Sequence, residues 1–283
     1  MNYHKLRLHL LLIFGICALG IFSTNICWAV SLPKPLAYWR LDESSQPYRD
    51  FSNSNNGACI DANLSLCPEQ VEGKFDWAQL FDGVGAGIDV PGDSFNWSAT
   101  DSFTIAFWMK RPAPPPPDGR INNEVIVGRE DKLLGKFLQW WVGVRNSDGA
   151  ARFNLIDSND SGIVDEFGLN SKKTITDGQW HHIVAVRDAV QNKNFLYVDG
   201  FLEDSVSANY DSDFASTTAK LNIGYLRARI GTAPPENAYF YSGVVDDIRI
   251  YTAALSEAQV SYLFGLRPAK NMPWVPSLLL EDQ

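Results

Sequence analysis

The side chains best equipped for chemistry in this sequence are its carboxylates, one pair of adjacent histidines and its nine tryptophans. A retaining glycoside hydrolase needs two carboxyl groups about 5 Å apart, supplied by closely spaced Glu and Asp. No Glu-x-Asp-x-x-Glu run occurs, and the nearest candidates, Asp157 to Asp160 and Asp246-Asp247, lack the glutamates. A Gly-x-Ser-x-Gly elbow, a His-Glu-x-x-His helix and a phosphate loop are also absent from the sequence. His181 and His182 are neighbours on an expected strand and therefore point to opposite faces, so they cannot hold one metal or act as a pair on one substrate. The residues favour binding over catalysis. A polysaccharide-active enzyme working through scattered Tyr, His and Arg is the alternative that stays open.

The tryptophans are more informative. In Phe137 to Val144, Leu138, Trp140, Val142 and Val144 share one strand face, while Gln139 and Trp141 share the other. If the apolar parity is core, Trp141 lies on an outer sheet face. A flat ring there can stack on a sugar while Gln139, Arg145 or Asn154 hydrogen-bond its hydroxyls. The other reading places Trp141 beneath a neighbouring loop.

These residues need a sheet to hold them, and the sequence supplies many short strands. Trp180, His182, Val184 and Val186 alternate, Phe195 and Tyr197 mark a second run, and Asp199-Gly200 suits a two-residue turn with positive φ at both positions. Further strands are expected at Leu36 to Glu43, at Leu80 to Gly83 and Ile88 to Val90 around a Gly-rich turn, and at Phe103 to Met109, Val125 to Gly128, Arg152 to Ile156, Leu221 to Tyr225 and Val244 to Tyr251. Pro112 to Pro117 cannot pair into a sheet and reads as a surface spacer. One helix is expected, with Ser256 and Gln259 forming a capping box, Leu255 stapling against Val260, and Val260, Leu263 and Phe264 on its buried stripe. Many strands, one late helix and no βαβ alternation predict an all-β, two-sheet antiparallel sandwich.

Composition sets the boundaries. With 283 residues, 45% hydrophobic and 20% charged, one sandwich domain and a leader account for the chain. A net charge of -9 and the lack of a Lys/Arg block exclude nucleic acid or an anionic membrane surface as partner. Residues 1–29 read as a signal peptide: Lys5 and Arg7 precede the apolar run Leu10 to Phe22, and cleavage is expected after Ala29. An uncleaved anchor is the rival reading, but the run falls short of the ~20 residues that span a bilayer. Residues 30–267 form the domain and 268–283 an irregular tail. Cys17 and Cys27 belong to the leader, which leaves Cys59 and Cys67 to form a disulfide after export, two free thiols being the alternative.

Four stretches carry a family resemblance in order along the chain: AYWRLDES at Ala37 to Ser44, FTIAFWMK at Phe103 to Lys110, GQWHHIVA with LYVDG between Gly178 and Gly200, and YSGVVDDIRIYTAALSEAQVSYLF at Tyr241 to Phe264. As a set they resemble the laminin-G-like and pentraxin-like domains of the concanavalin A-like jelly-roll group. The resemblance implies a jelly-roll sandwich whose concave outer face or rim holds sugars or protein partners. The expected function is a secreted binding module for extracellular carbohydrate, with an adhesion protein that binds a protein partner as the further alternative. The resemblance also implies a calcium ion tying the chain ends together, with Asp42, Glu43, Asp246 and Asp247 as candidate ligands and Asp247 favoured, because Asp246 shares the parity of Ile248 and Ile250. The competing reading leaves Asp42 and Glu43 solvated and pairs Asp246 or Asp247 with Arg249.

Overall fold

A computed structural model describes residues 30–112, 123–133, 136–158, 164–166, 168–227 and 239–266. The leader, the proline stretch past Pro112 and the C-terminal tail lie outside the described residues, as do the side chains from Asp157 to Asp160. Among the described residues the chain forms sixteen strands and one α-helix. In the first half these are β1 (Ala37–Trp39), β2 (Ala58–Cys59), β3 (Glu69–Glu72), β4 (Trp77–Asp82), β5 (Ile88–Val90), β6 (Phe103–Lys110), β7 (Glu124–Leu133) and β8 (Lys136–Arg145). The second half adds β9 (Ala150–Ser158), β10 (Val164–Glu166), β11 (Leu169–Thr174), β12 (Trp180–Asp188), β13 (Lys193–Val198), β14 (Phe201–Ser207), β15 (Leu221–Ile223), β16 (Ser242–Tyr251) and the helix α1 (Glu257–Gly265).

They make two antiparallel sheets. One runs β14-β13-β12-β6-β16-β4-β3 with β1 on β16, and the other runs β10-β9-β8-β7-β15-β5-β2 with β11 on β9. Alternation decides what lies between them: Phe103, Ile105, Phe107 and Met109 of β6 face Trp140, Val142 and Val144 of β8 in one buried core. Aromatic rings fill its centre, with Trp97 stacked on Phe103 at 3.9 Å and 5.0 Å from Trp140. Outside the first sheet, α1 lays Val260 and Leu263 over Ala106, Val184, Val186 and Tyr251. The expected capping box is present, Ser256 and Gln259 each accepting from the other's backbone N–H.

The Asp199-Gly200 turn has φ of 52° and 83°, the positive pair that a type I′ hairpin requires. Cys59 and Cys67 are disulfide-bonded across a Cα–Cα distance of 4.9 Å. Two expectations need correction. The first strand stops at Trp39, because Leu41 turns to φ 60° and ends the extension. In β16, Asp247 has φ 54° and the pairing with β6 slips between Asp246 and Arg249. That bulge keeps Val245 and Ile248 both in the core, so Asp246 does not follow the parity of Ile248 and points away from the core.

Candidate functional site

A pocket of about 160 Å³ opens on the outer face of the second sheet. Its floor is built by alternation: Gln139 and Trp141 of β8 lie beside Arg152, Asn154 and Ile156 of β9, with Trp141 directly opposite Asn154. Asn123 and Tyr239 complete the wall. Three of the four expected ligand-binding residues, Trp141, Gln139 and Asn154, thus meet at one place. Arg145 does not join them. It closes the Asn146 to Gly149 turn instead, donating from Nε to Asp148 at 2.9 Å. Arg152 takes the position expected of Arg145, and the parity it shares with Asn154 is the signal for it in the sequence.

Trp141 occupies the outer face, as its parity predicts, yet only 5% of its surface is exposed. Val125, Leu226 and Tyr239 pack against it. The two placements open to this residue therefore hold at once: outer face, and covered. The indole cannot offer its whole flat face to a ligand, and it meets the pocket as part of the wall. Gly128 makes room for it. Gly128 pairs with Trp141 across β7–β8, and a Cβ at Gly128 would come 2.8 Å from the Trp141 Cβ.

A polar row crosses this floor from strand to strand. Gln139 Nε2 donates to Glu130, Asn154 Nδ2 donates to Gln139 Oε1 at 3.5 Å, Arg152 Nη2 donates to Asn154 Oδ1 at 3.5 Å, and Arg152 Nη1 donates to Asn170 Oδ1 at 3.2 Å. Both bonds of the Asn154 amide sit at the long limit for hydrogen bonding, although only 2% of the residue is exposed. Such an amide can exchange its present contacts for better ones at little cost. The Arg152 guanidinium lies 5.8 Å from the Trp141 ring centre, and Gly168 leaves space for it: a Cβ at Gly168 would approach Arg152 Nη2 to 2.8 Å and Asn154 Oδ1 to 2.9 Å.

Tyr239 is fixed as the opposite wall by two backbone bonds. Its N–H donates to Leu226 O at 3.3 Å, and its carbonyl accepts from Val125 N–H at 3.2 Å. No periodic pattern in the sequence points to Tyr239 or Asn123, because they enter the site through loop geometry.

The four candidate calcium ligands lie at the start of the chain and on β16. Asp42 accepts from Trp77 N–H at 3.1 Å and pairs with Arg40 at 2.9 Å. Glu43 turns to the Arg49 N–H at 3.0 Å. Asp246 accepts from Phe75 N–H at 2.9 Å, and Asp247 pairs with Arg249 at 3.1 Å. Burial, together with the charges of Asp247 and Asp42, pushes the Asp246 carboxyl up to about 8. The carbonyls of Leu41, Asp42 and Glu43 accept from the Gln79 and Gln70 amides. Among the described residues no group of three or more His, Cys, Asp or Glu side chains stands at metal-binding spacing.

The histidines separate as expected. His182 is enclosed by Trp108 and Phe264, and burial pushes its pKa down to about 3, so the ring is neutral. His181 lies between carboxylates, 2.9 Å from Asp199 and 3.0 Å from Asp177, and its hydrogen bond to Asp199 leads the interactions that raise its pKa. Neither histidine faces the pocket. No helix among the described residues is long and apolar enough to cross a membrane.

Comparison with known proteins bears on the fold. The binding domain of Paraclostridial Mosquitocidal Protein 1 superposes with a TM-score of 0.59 at 18% identity, covering 82% of this chain and 52% of that one. Domain 4 of AbnA, an extracellular GH43 arabinanase from Geobacillus stearothermophilus solved with arabinotriose, gives 0.55 at 19% identity, covering 81% of this chain and 98% of that one. The binding domain of Botulinum neurotoxin serotype G gives 0.55 at 14%, covering 81% and 50%. The chain therefore spans about half the length of the two toxin domains and nearly all of the arabinanase domain. No curated protein matches by sequence. A laminin G family model, described as the concanavalin A-like lectin/glucanases superfamily, matches residues 82–261, and the chain belongs to that superfamily.

Proposed function

We propose that this protein is a secreted, non-catalytic binding module that takes carbohydrate in the pocket beside Trp141. One observation carries the reading: the Gln139–Asn154–Arg152 row sets amide and guanidinium groups, hydrogen-bonded at up to 3.5 Å, next to an aromatic wall. Sugars need that combination, an apolar surface for ring C–H groups and adaptable donors and acceptors for hydroxyls. The arabinanase domain solved with arabinotriose has a similar fold over nearly its whole length, which supports the reading. The Cys59–Cys67 disulfide supports export, since such bonds persist in oxidising compartments.

Calcium joins this reading as a second proposal. Asp246 and Asp42 accept from the Phe75 and Trp77 N–H groups of one short segment, and burial first, then the charges of Asp247 and Asp42, raises the Asp246 carboxyl; a divalent ion would relieve that repulsion. Arg40 and Arg249 hold Asp42 and Asp247 and would have to yield them.

A polysaccharide and glycan binding screen with the intact protein, run beside an assay for released products, tests the functional reading. Saturable binding without product release is expected. Product release would make the protein an enzyme, and binding confined to a protein partner would make it an adhesion molecule.

A further inference from the structure

The pocket's dimensions and walls narrow the class of ligand, and the inference rests on the carbohydrate reading above. A site that follows a polysaccharide along its length needs an open groove and an exposed ring on which successive units lie. Among the described residues this site offers neither. Its volume of about 160 Å³ is below the ~300–1,000 Å³ typical of ligand clefts. An engineered cavity of about 150 Å³ holds a single six-membered ring, so a space of this size suits one sugar ring or a part of it and is short for a run of units.

The walls agree with the volume. On the β7 side stands Tyr239, pinned through its backbone between Leu226 and Val125. On the β9 side stands Arg152, held by Asn170 Oδ1 at 3.2 Å, with Gly168 close against its guanidinium. Trp141 sits between them with 5% of its surface free, so it closes the pocket and offers no platform along which a chain could extend. We infer that the Trp141 pocket binds glycans end-on, accepting a single terminal sugar unit and not internal units of a chain. Asn154 and Gln139 then face the hydroxyls of that unit, and the rest of the glycan projects into solvent.

The experiment counts chain ends. Arabinan, galactan, xylan and β-glucan are each prepared as a long polymer and as a partly acid-shortened one, and bound protein per gram is measured at saturation. Isothermal titration adds the mono-, tri- and hexasaccharide of whichever polymer binds. End-on recognition predicts that bound protein per gram rises in proportion to the number of ends, and that tri- and hexasaccharide affinities agree within about threefold. Gln139→Ala should weaken all of these alike. Equal binding per gram before and after shortening, or an affinity gain of about tenfold or more from three to six units, overturns end-on recognition while leaving carbohydrate binding intact. If no saccharide binds, or binding ignores both Gln139→Ala and Asn154→Ala, the carbohydrate reading of the pocket fails and this inference fails with it. Tyr239→Ala supplies an independent check: lowering that wall should let uncut polymer bind more protein per gram, and an unchanged figure would contradict the role given to the wall.

Discussion

Gly128 and Trp141 face one another across the β7–β8 ladder, and the indole can lie against the sheet because Gly128 has no side chain in its way. Gly128→Val should therefore push Trp141 outward. Overpacking of this kind costs about 1–3 kcal/mol, read as a lower urea midpoint, and the displaced indole should emit at longer wavelength. An unchanged midpoint and spectrum would mean that Trp141 is not held as described.

The alternation of Leu138 to Val144 makes this placement legible in the sequence, since a period of two leaves Trp140 and Trp141 no choice but opposite faces. The cover over Trp141 is not legible there. Leu226 and Tyr239 reach it from far along the chain, and no local pattern encodes that contact. Arg145 leaves its expected place for a local reason, capture by Asp148 in the turn, and Arg152 fills that place from two residues before Asn154. At β16, parity fails for Asp246 because a bulge at Asp247 inserts one step into the alternation.

His181 makes stability depend on pH. Its folded pKa is raised above the ordinary 6.5, first by Asp199, so its contribution is fully present below the unfolded value and is lost as pH rises through the folded one. Asp199 moves the opposite way: its hydrogen bonds from His181, Lys173 and the His182 N–H lower its pKa against the cost of burial, so its contribution is lost as pH falls below the ordinary carboxylate range. His181→Gln should lower stability by about 1.5–3 kcal/mol near pH 5.5, and the deficit should shrink at alkaline pH. Thermal melts of both proteins from pH 4 to 9 check this, and a deficit independent of pH would remove the ion pair from the account.

The disulfide closes a short loop, with Cys59 and Cys67 eight positions apart. Loop-closure entropy for so short a span corresponds to on the order of 2–3 kcal/mol. Cys59→Ser with Cys67→Ser should lower the urea midpoint accordingly, and alkylation of the wild-type protein without reductant should label neither cysteine. Two labelled thiols in the secreted protein would refute the bridge.

Calcium at the chain ends is tested by melting metal-free protein with and without millimolar calcium. An ion present at a hundred times its Kd adds about 2.7 kcal/mol. For a domain of this size that raises Tm by roughly 5–10 °C. Asp247→Asn should abolish the rise. Superimposable melting curves with calcium and with chelator would dismiss the ion and leave Arg249 as the partner of Asp247.

The central claim is that the Trp141 pocket is the binding site, and isothermal titration of the best-binding saccharide into wild type and Asn154→Ala tests it most directly. Loss of the Asn154 amide should weaken binding about three- to tenfold, the value of one or two neutral hydrogen bonds, while far-ultraviolet circular dichroism and the urea midpoint show that the variant stays folded. Wild-type affinity in a folded Asn154→Ala protein would place the binding site elsewhere on the molecule.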